Sequence, residues 1–217
     1  MKLISKEIGK TYTLQLLILI LATACVGTSP KENFYTLNSQ NYELNQVDKK
    51  RETIVKSLPD VYIDIVAVTI IELVDRPQLV IKLSPNQVQI LEQQRWAQPL
   101  KNEIGRVVAK NLSTLLNTHY VTNYPTSSVN TKLAANLTTY KVQLNVQQFE
   151  SSLGSNATVT INYSVRKLTN NQIYSDTITN TQKITGKNYS DLVEAQSKAL
   201  GTISHEIAQA IANMASQ

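Results

Sequence analysis

The chain has 217 residues, 42% of them hydrophobic and 17% charged, which suits one domain with a real core. Its formal net charge of +5 is mild and forms no dense basic stripe, which argues against a nucleic-acid binder. A single cysteine excludes an intrachain disulfide and a paired-cysteine metal site.

That cysteine, Cys25, closes the first recognisable segment. Lys2, Lys6 and Lys10 stand against Glu7 alone. The apolar run "LQLLILIL" follows from Leu14 to Leu21, and the small residues Ala22, Thr23 and Ala24 lead to the thiol. Basic, then apolar, then small is the layout of a secretory signal. The apolar run is shorter than the ~20 residues a spanning helix needs. A catalytic thiol requires a base and a rigid pocket, and the flanks of Cys25 offer neither. The segment "LATAC" resembles a bacterial lipobox, in which the thiol is lipidated and the chain is cut just before it. It departs from the usual pattern at Ala22, where Leu, Val or Ile is common. An ordinary secreted protein with a free N-terminal cysteine is the alternative.

The expected organisation is a signal over 1–24, a lipidated tether over 25–33 and a single α+β domain over 34–217. Loss of three Lys and one Glu with the signal lowers the formal charge from +5 to +3. The eight tether residues from Val26 to Asn33 reach about 25 Å at most. Two or more acyl chains hold a membrane stably, at ~0.8 kcal/mol per buried CH₂. Residue 26 is Val, not the Asp that commonly retains such lipoproteins at the inner membrane, so resemblance favours the outer membrane.

"FYTL" (Phe34–Leu37) reads as a short strand, and the polar run after it as loop with a strand near Ile54. "VYIDIVAVTI" (Val61–Ile70) is rich in β-branched residues, alternates in places and predicts a buried strand. "QLVIKL" (78–83), the turn Ser84-Pro85-Asn86 and "VQILEQ" predict a hairpin. The period then changes. Leu100, Ile104, Val107, Val108, Leu112, Leu115 and Leu116 recur at three and four, one face of a helix with Pro99 in its first turn. "HYVTNYP" returns to strand. Tyr140, Val142, Leu144 and Val146 alternate, and Phe149 breaks the phase, which predicts a bulge or the strand's end. Ala157, Val159, Ile161, Tyr163 and Val165 give the cleanest alternation in the chain. Asn170-Asn171 predicts a two-residue turn into the return strand "QIYSDTITNTQKI". From 188 to 215 a second helical stripe runs from Leu192 to Met214, with Asn188 and Asp191 as a capping pair. The sum is α+β: a mostly antiparallel sheet against two long amphipathic helices.

Catalytic patterns are sparse. The two histidines, His119 and His205, lie far apart in sequence, and no HExxH, GxSxG, phosphate-binding loop or GxGxxG occurs. No enzyme, metal site or cofactor is expected beyond covalent acyl (palmitate) and diacylglyceryl groups on Cys25. The unusual stretch is Val74–Leu100, which holds Asp75, Arg76 and Pro77 after one strand and Arg95-Trp96 before the helix. Two readings stand. One is structural: Asp75 pairs with Arg76 or Arg95, an arginine lies on the indole, and Trp96 staples the start of the helix. The other is a partner-contact patch, since Arg and Trp are enriched at interface hot spots.

Taken together, the motifs resemble the PqiC family of ABC-type transport auxiliary lipoproteins, which includes YmbA-like proteins. The residues that carry this are the lipobox at Cys25, "FYTL", "VDRPQLV" (74–80), "RWAQPL" (95–100), "IGRVVAKNLSTLL", "YKVQLNVQQFE" and "YSDLVEAQSKALGTISHEIAQAI", in that order. Val74 stands where the family usually has Leu. The resemblance implies a non-catalytic, outer-membrane-anchored component of a phospholipid-trafficking system that supports membrane integrity. Its partners would be an MCE-domain protein of an inner-membrane transport complex, outer-membrane lipids and, through ring formation, further copies of itself. Two further readings are a stand-alone lipid-binding lipoprotein, which needs a cavity between sheet and helices, and a structural or pilot lipoprotein of another envelope machine.

Overall fold

The computed structural model describes residues 30–40, 55–123 and 136–217. Cys25, the signal and the strand expected near Ile54 lie outside the described residues. Residues 32–217 form one compact unit. Its strands are β1 (Asn33–Tyr35), β2 (Val61–Ile70), β3 (Gln78–Ser84), β4 (Gln87–Trp96), β5 (Val121–Asn123), β6 (Thr138–Ser151), β7 (Asn156–Lys167) and β8 (Ile173–Lys183). Two helices join them, α1 (Leu100–Leu116) and α2 (Tyr189–Ala215). The class is α+β, as the sequence predicts.

The strands form two mixed sheets. The larger has the order β5-β2-β6-β7-β8, the smaller β1-β4-β3. β2 is parallel to both neighbours, and β1 is parallel to β4. The long β6–β7 and β7–β8 pairs are antiparallel, as is β3–β4. β2 is buried along most of its length because it has a strand on each side and α1 across one face. Parallel strands covered in this way read as continuous apolar runs rather than alternating ones.

The alternation predicted for β6 and β7 is present. Val142 faces Val165, Leu144 faces Tyr163 and Val146 faces Ile161. The register then slips between Val146 and Gln148, so Phe149 returns to the core side. This is the bulge that the broken phase predicts. Both helices lie on the larger sheet, α1 over β2 and β5 and α2 over β7 and β8. Ile104, Val108, Leu112, Leu200, Ile203 and Ile207 are fully buried there. Asn188 and Asp191 cap α2 reciprocally, Asp191 N–H donating to Asn188 Oδ1 at 2.9 Å and Asn188 N–H to Asp191 Oδ2 at 3.3 Å.

Three local expectations change. Pro99 is the N-cap of α1, not a first-turn residue; its fixed φ of −51° leads directly into the helix. β4 runs on through Arg95 and Trp96, so the tryptophan ends a strand and does not staple a helix. Between β7 and β8 the chain takes a loop over 168–172 instead of a two-residue turn, closed by Lys167 N–H donating to the Gln172 carbonyl at 2.9 Å. Asn171 does occupy the left-handed region there, φ 56°, which asparagine tolerates.

Candidate docking site

The two motifs of the 74–100 stretch are brought together by the β3–β4 hairpin. A 3-10 turn over Glu72–Val74 buries Val74 and leaves Asp75 exposed. The chain then enters β3, where Gln78 stands opposite Arg95. Trp96 N–H donates to the Pro77 carbonyl at 2.7 Å, and Ala97 N–H to the Tyr35 carbonyl at 2.8 Å. Thus "DRP" and "RW" are adjacent in space.

Their side chains do different things. Trp96 is only 6% exposed. Its ring meets Phe149 edge-to-face, centroids 6.3 Å apart, so its ring partner is an aromatic of β6 and not an arginine. Arg95 Nη1 pairs with Glu32 Oε1 at 2.6 Å, and Asp75 Oδ2 lies 3.6 Å from Lys101 Nζ. Asp75 thus takes neither of the partners, Arg76 or Arg95, expected from sequence. Such exposed pairs contribute about 0–1 kcal/mol. Arg76 has no hydrogen-bond or ion-pair partner among the described residues. The Nε atoms of Arg76 and Arg95 are both buried and unpaired, while the two side chains are half-exposed as a whole. Of the two, Arg76, half-exposed and without a partner, is the one ready to meet a carboxylate or phosphate.

A second arrangement was not legible in the sequence. Residues 36–40 cross the two helices as a strap. Glu103, 1% exposed, accepts from Thr36 Oγ1 at 2.6 Å, from Leu37 N–H at 2.9 Å and from Arg106 Nη2 at 2.7 Å. Asn38 N–H donates to Ser197 Oγ at 3.1 Å, and Gln40 N–H to Asn111 Oδ1 at 3.0 Å. Leu37 is fully buried beneath this lattice. Burial alone would raise the Glu103 carboxyl. The Arg106 and Thr36 hydrogen bonds, the Arg106 charge and the Leu37 amide together outweigh it and hold the group below its ordinary value. Only the Glu103–Arg106 spacing of i,i+3 was visible in the sequence.

Two cavities bear on lipid storage. The one between the small sheet and the helices, lined by Leu79, Trp96, Leu100, Phe149, Leu192 and Gln196, holds about 10 Å³, room for one water at most. The other, about 300 Å³, opens between β8 and the end of α2 beside Tyr163, Tyr174, Asp176 and Glu206. Burial pushes the Tyr163 hydroxyl up, and neighbouring Tyr174, Asp176 and Glu206 push it further. His119 is exposed and His205 half-buried on α2. No helix among the described residues is long and apolar enough to cross a membrane.

Residues 42–208 match the family described as ABC-type transport auxiliary lipoprotein component. No curated protein matches the chain in sequence. Among solved structures, protein XCC0632 from Xanthomonas campestris, of the DUF330 family, is similar with a TM-score of 0.60 at 16% identity. It covers 85% of this chain and 98% of its own. An uncharacterised protein has a TM-score of 0.62 at 15% identity, covering 84% and 99%. At these identities the likeness is one of fold. The family is one of transport accessories, not an enzyme class. By the match across 42–208, the chain belongs to the ABC-type transport auxiliary lipoprotein family.

Proposed function

We propose that this chain is a lipoprotein held in the outer membrane by acyl groups on Cys25, facing the periplasm. Its domain docks the MCE-domain component of an inner-membrane ABC-type complex that moves phospholipid between membranes. The family match over 42–208 is the observation that carries this reading. The position of Cys25 after "LILATA" supports the anchor. The half-exposed guanidiniums of Arg76 and Arg95 supply the contact, flanked by Asp75 and Pro77 and backed by buried Trp96. The cavity of about 10 Å³ behind Trp96 has no room for an acyl chain, while the larger one beside Tyr163 and Glu206 is lined by polar and charged groups as well as apolar ones.

Affinity purification from separated inner and outer membranes in mild detergent tests the proposal, with Cys25→Ala as control. An MCE protein recovered from the outer-membrane fraction, and lost or relocated in the control, is the expected result. Bound phospholipid without an MCE partner would favour the lipid-binding reading instead, and recovery of neither would defeat the partner assignment.

A further inference from the structure

The β3–β4 hairpin ends in a tip that its own sheet does not cover. Leu83 is 52% exposed, Val88 43% and Ile90 37%. Val88 and Ile90 share one face of β4, opposite Lys82 and Val80. From Leu83 to Leu91 the sequence "LSPNQVQIL" contains no charged residue. A second exposed apolar group, at Leu168, Ile173 and Tyr174, is interleaved with Arg166, Lys167 and Asp176, and Phe34 and Leu73 are exposed singly. Lys82, the cross-strand neighbour of Val88, has its charge paired with Glu150 at 2.7 Å, and a tip otherwise uncharged, with three aliphatic side chains, enters a lipid interface at less of the desolvation cost that a free charge brings.

The strand directions connect this tip to the anchor. β1 is parallel to β4, with Asn33 opposite Gln94 and Tyr35 opposite Trp96. β4 itself runs from the tip at Gln87 toward Trp96. A chain traced backwards from Asn33 therefore leaves toward the tip. From Gln94 to Gln87 is seven residues of strand, about 23 Å. The eight residue steps from Cys25 to Asn33 reach about 25 Å. A tether of that reach is long enough to span the height of the hairpin.

We propose that the β3–β4 tip is a membrane-contact element, with Leu83, Val88 and Ile90 seated in the lipid interface beside the acylated N-terminus. The inference rests on the Cys25 anchor. The tip fixes the tilt of the domain on its tether, so that the anchor and the hairpin give two points of attachment. Lipid is favoured over a charged protein partner because nothing between Lys82 and Glu92 carries a charge to be matched.

The test uses the full-length lipoprotein in vesicles of phosphatidylethanolamine with a minor share of phosphatidylglycerol. With Cys25 acylated, Asn86→Cys supplies the only free thiol for an environment-sensitive fluorophore. Thr169→Cys, in the β7–β8 loop, is the reference position. The Asn86 probe should shift to the blue, and nitroxide lipids should quench it several-fold more than the Thr169 probe. Leu83→Ser with Val88→Ser and Ile90→Ser should abolish that difference while vesicle flotation and circular dichroism stay unchanged. Equal, weak quenching at both positions in protein that floats with the vesicles overturns the inference and leaves the anchor standing. The mass of the N-terminal peptide reads acylation separately. If Cys25 carries no lipid, the same probes in a Cys25→Ala background are mixed with the vesicles. Quenching at Asn86 then still supports the tip, and its absence overturns it.

Discussion

Glu103→Gln isolates the latch between the strap and the helices. In the wild type one carboxylate oxygen, Oε2, takes the Thr36, Leu37 and Arg106 donors. Glutamine can place a carbonyl oxygen at the same point, so the shape is kept and the charge is lost. A hydrogen bond to a charged group contributes ~1.5–3 kcal/mol and a neutral one ~0.5–1.5, a loss of about 1 kcal/mol per bond. Three bonds give about 3 kcal/mol, and the cheaper burial of an amide reduces that to roughly 2–3. For a domain of this size each kcal/mol moves Tm by ~2–4 °C, so a drop of about 5–10 °C is expected. Thermal circular dichroism and urea titration followed by Trp96 fluorescence measure it. The pH dependence gives a second check with a definite sign. The folded carboxyl is held below its ordinary value of 4.5. Its contribution is therefore present above that pH and lost as pH falls through the folded value. The gap between wild type and variant must close in acid. A variant within about 0.5 kcal/mol of wild type at neutral pH, or a gap that persists in acid, would refute the latch.

Three other outcomes follow from the packing. Trp96→Ala should destabilise by about 3–5 kcal/mol in urea titration, since it empties a buried aromatic site. Trp96→Phe should cost less because the ring contact with Phe149 survives, and equal costs would show that the indole is not packed as described. At Gly186 an added Cβ would lie 1.6 Å from Asp191 Oδ2, which forces the capping carboxylate away from α2. Gly186→Ala should therefore cost about 1 kcal/mol. The cost should vanish in an Asp191→Ala background, and full additivity in that cycle would rule out the mechanism. Tyr163, whose hydroxyl is pushed well above its ordinary 10.0, stabilises the fold only below that value and loses its contribution as pH rises above it. Tm against alkaline pH should fall more steeply for wild type than for Tyr163→Phe, and parallel curves would count against a buried neutral phenol.

What the sequence reveals here depends on whether a feature is local. The alternation from Ala157 to Val165, the stripe from Leu192 to Met214 and the Asn188–Asp191 cap each lie within one element, and all are present in the fold. Even the bulge before Phe149 was visible as a broken phase. Strand partners were not. β2 pairs with β6 across more than 70 residues, and β1 with β4 across about 60, whereas a period-two pattern fixes which face is buried and not which strand lies alongside. Trp96 belongs to the same class. Its sequence neighbours suggest the start of a helix, and its burial comes from Phe149, distant in sequence. The Glu103 latch was hidden for the same reason: its donors at Thr36 and Leu37 are 67 and 66 positions away.

The parallel pairing of β1 has a mechanical meaning for a protein held by its N-terminus. Under the anchoring proposed above, a pull on the N-terminus would enter at Asn33 and run along the β1 axis, toward the hairpin end. Force in that direction shears β1 against β4, so the inter-strand bonds and the Arg95–Glu32 pair resist together. A pull across the strand would instead peel them one at a time. Behind β1 the strap adds the Glu103, Ser197 and Asn111 bonds in series. Tension entering through the first strand is thus shared between the smaller sheet and, by way of the strap, the two helices.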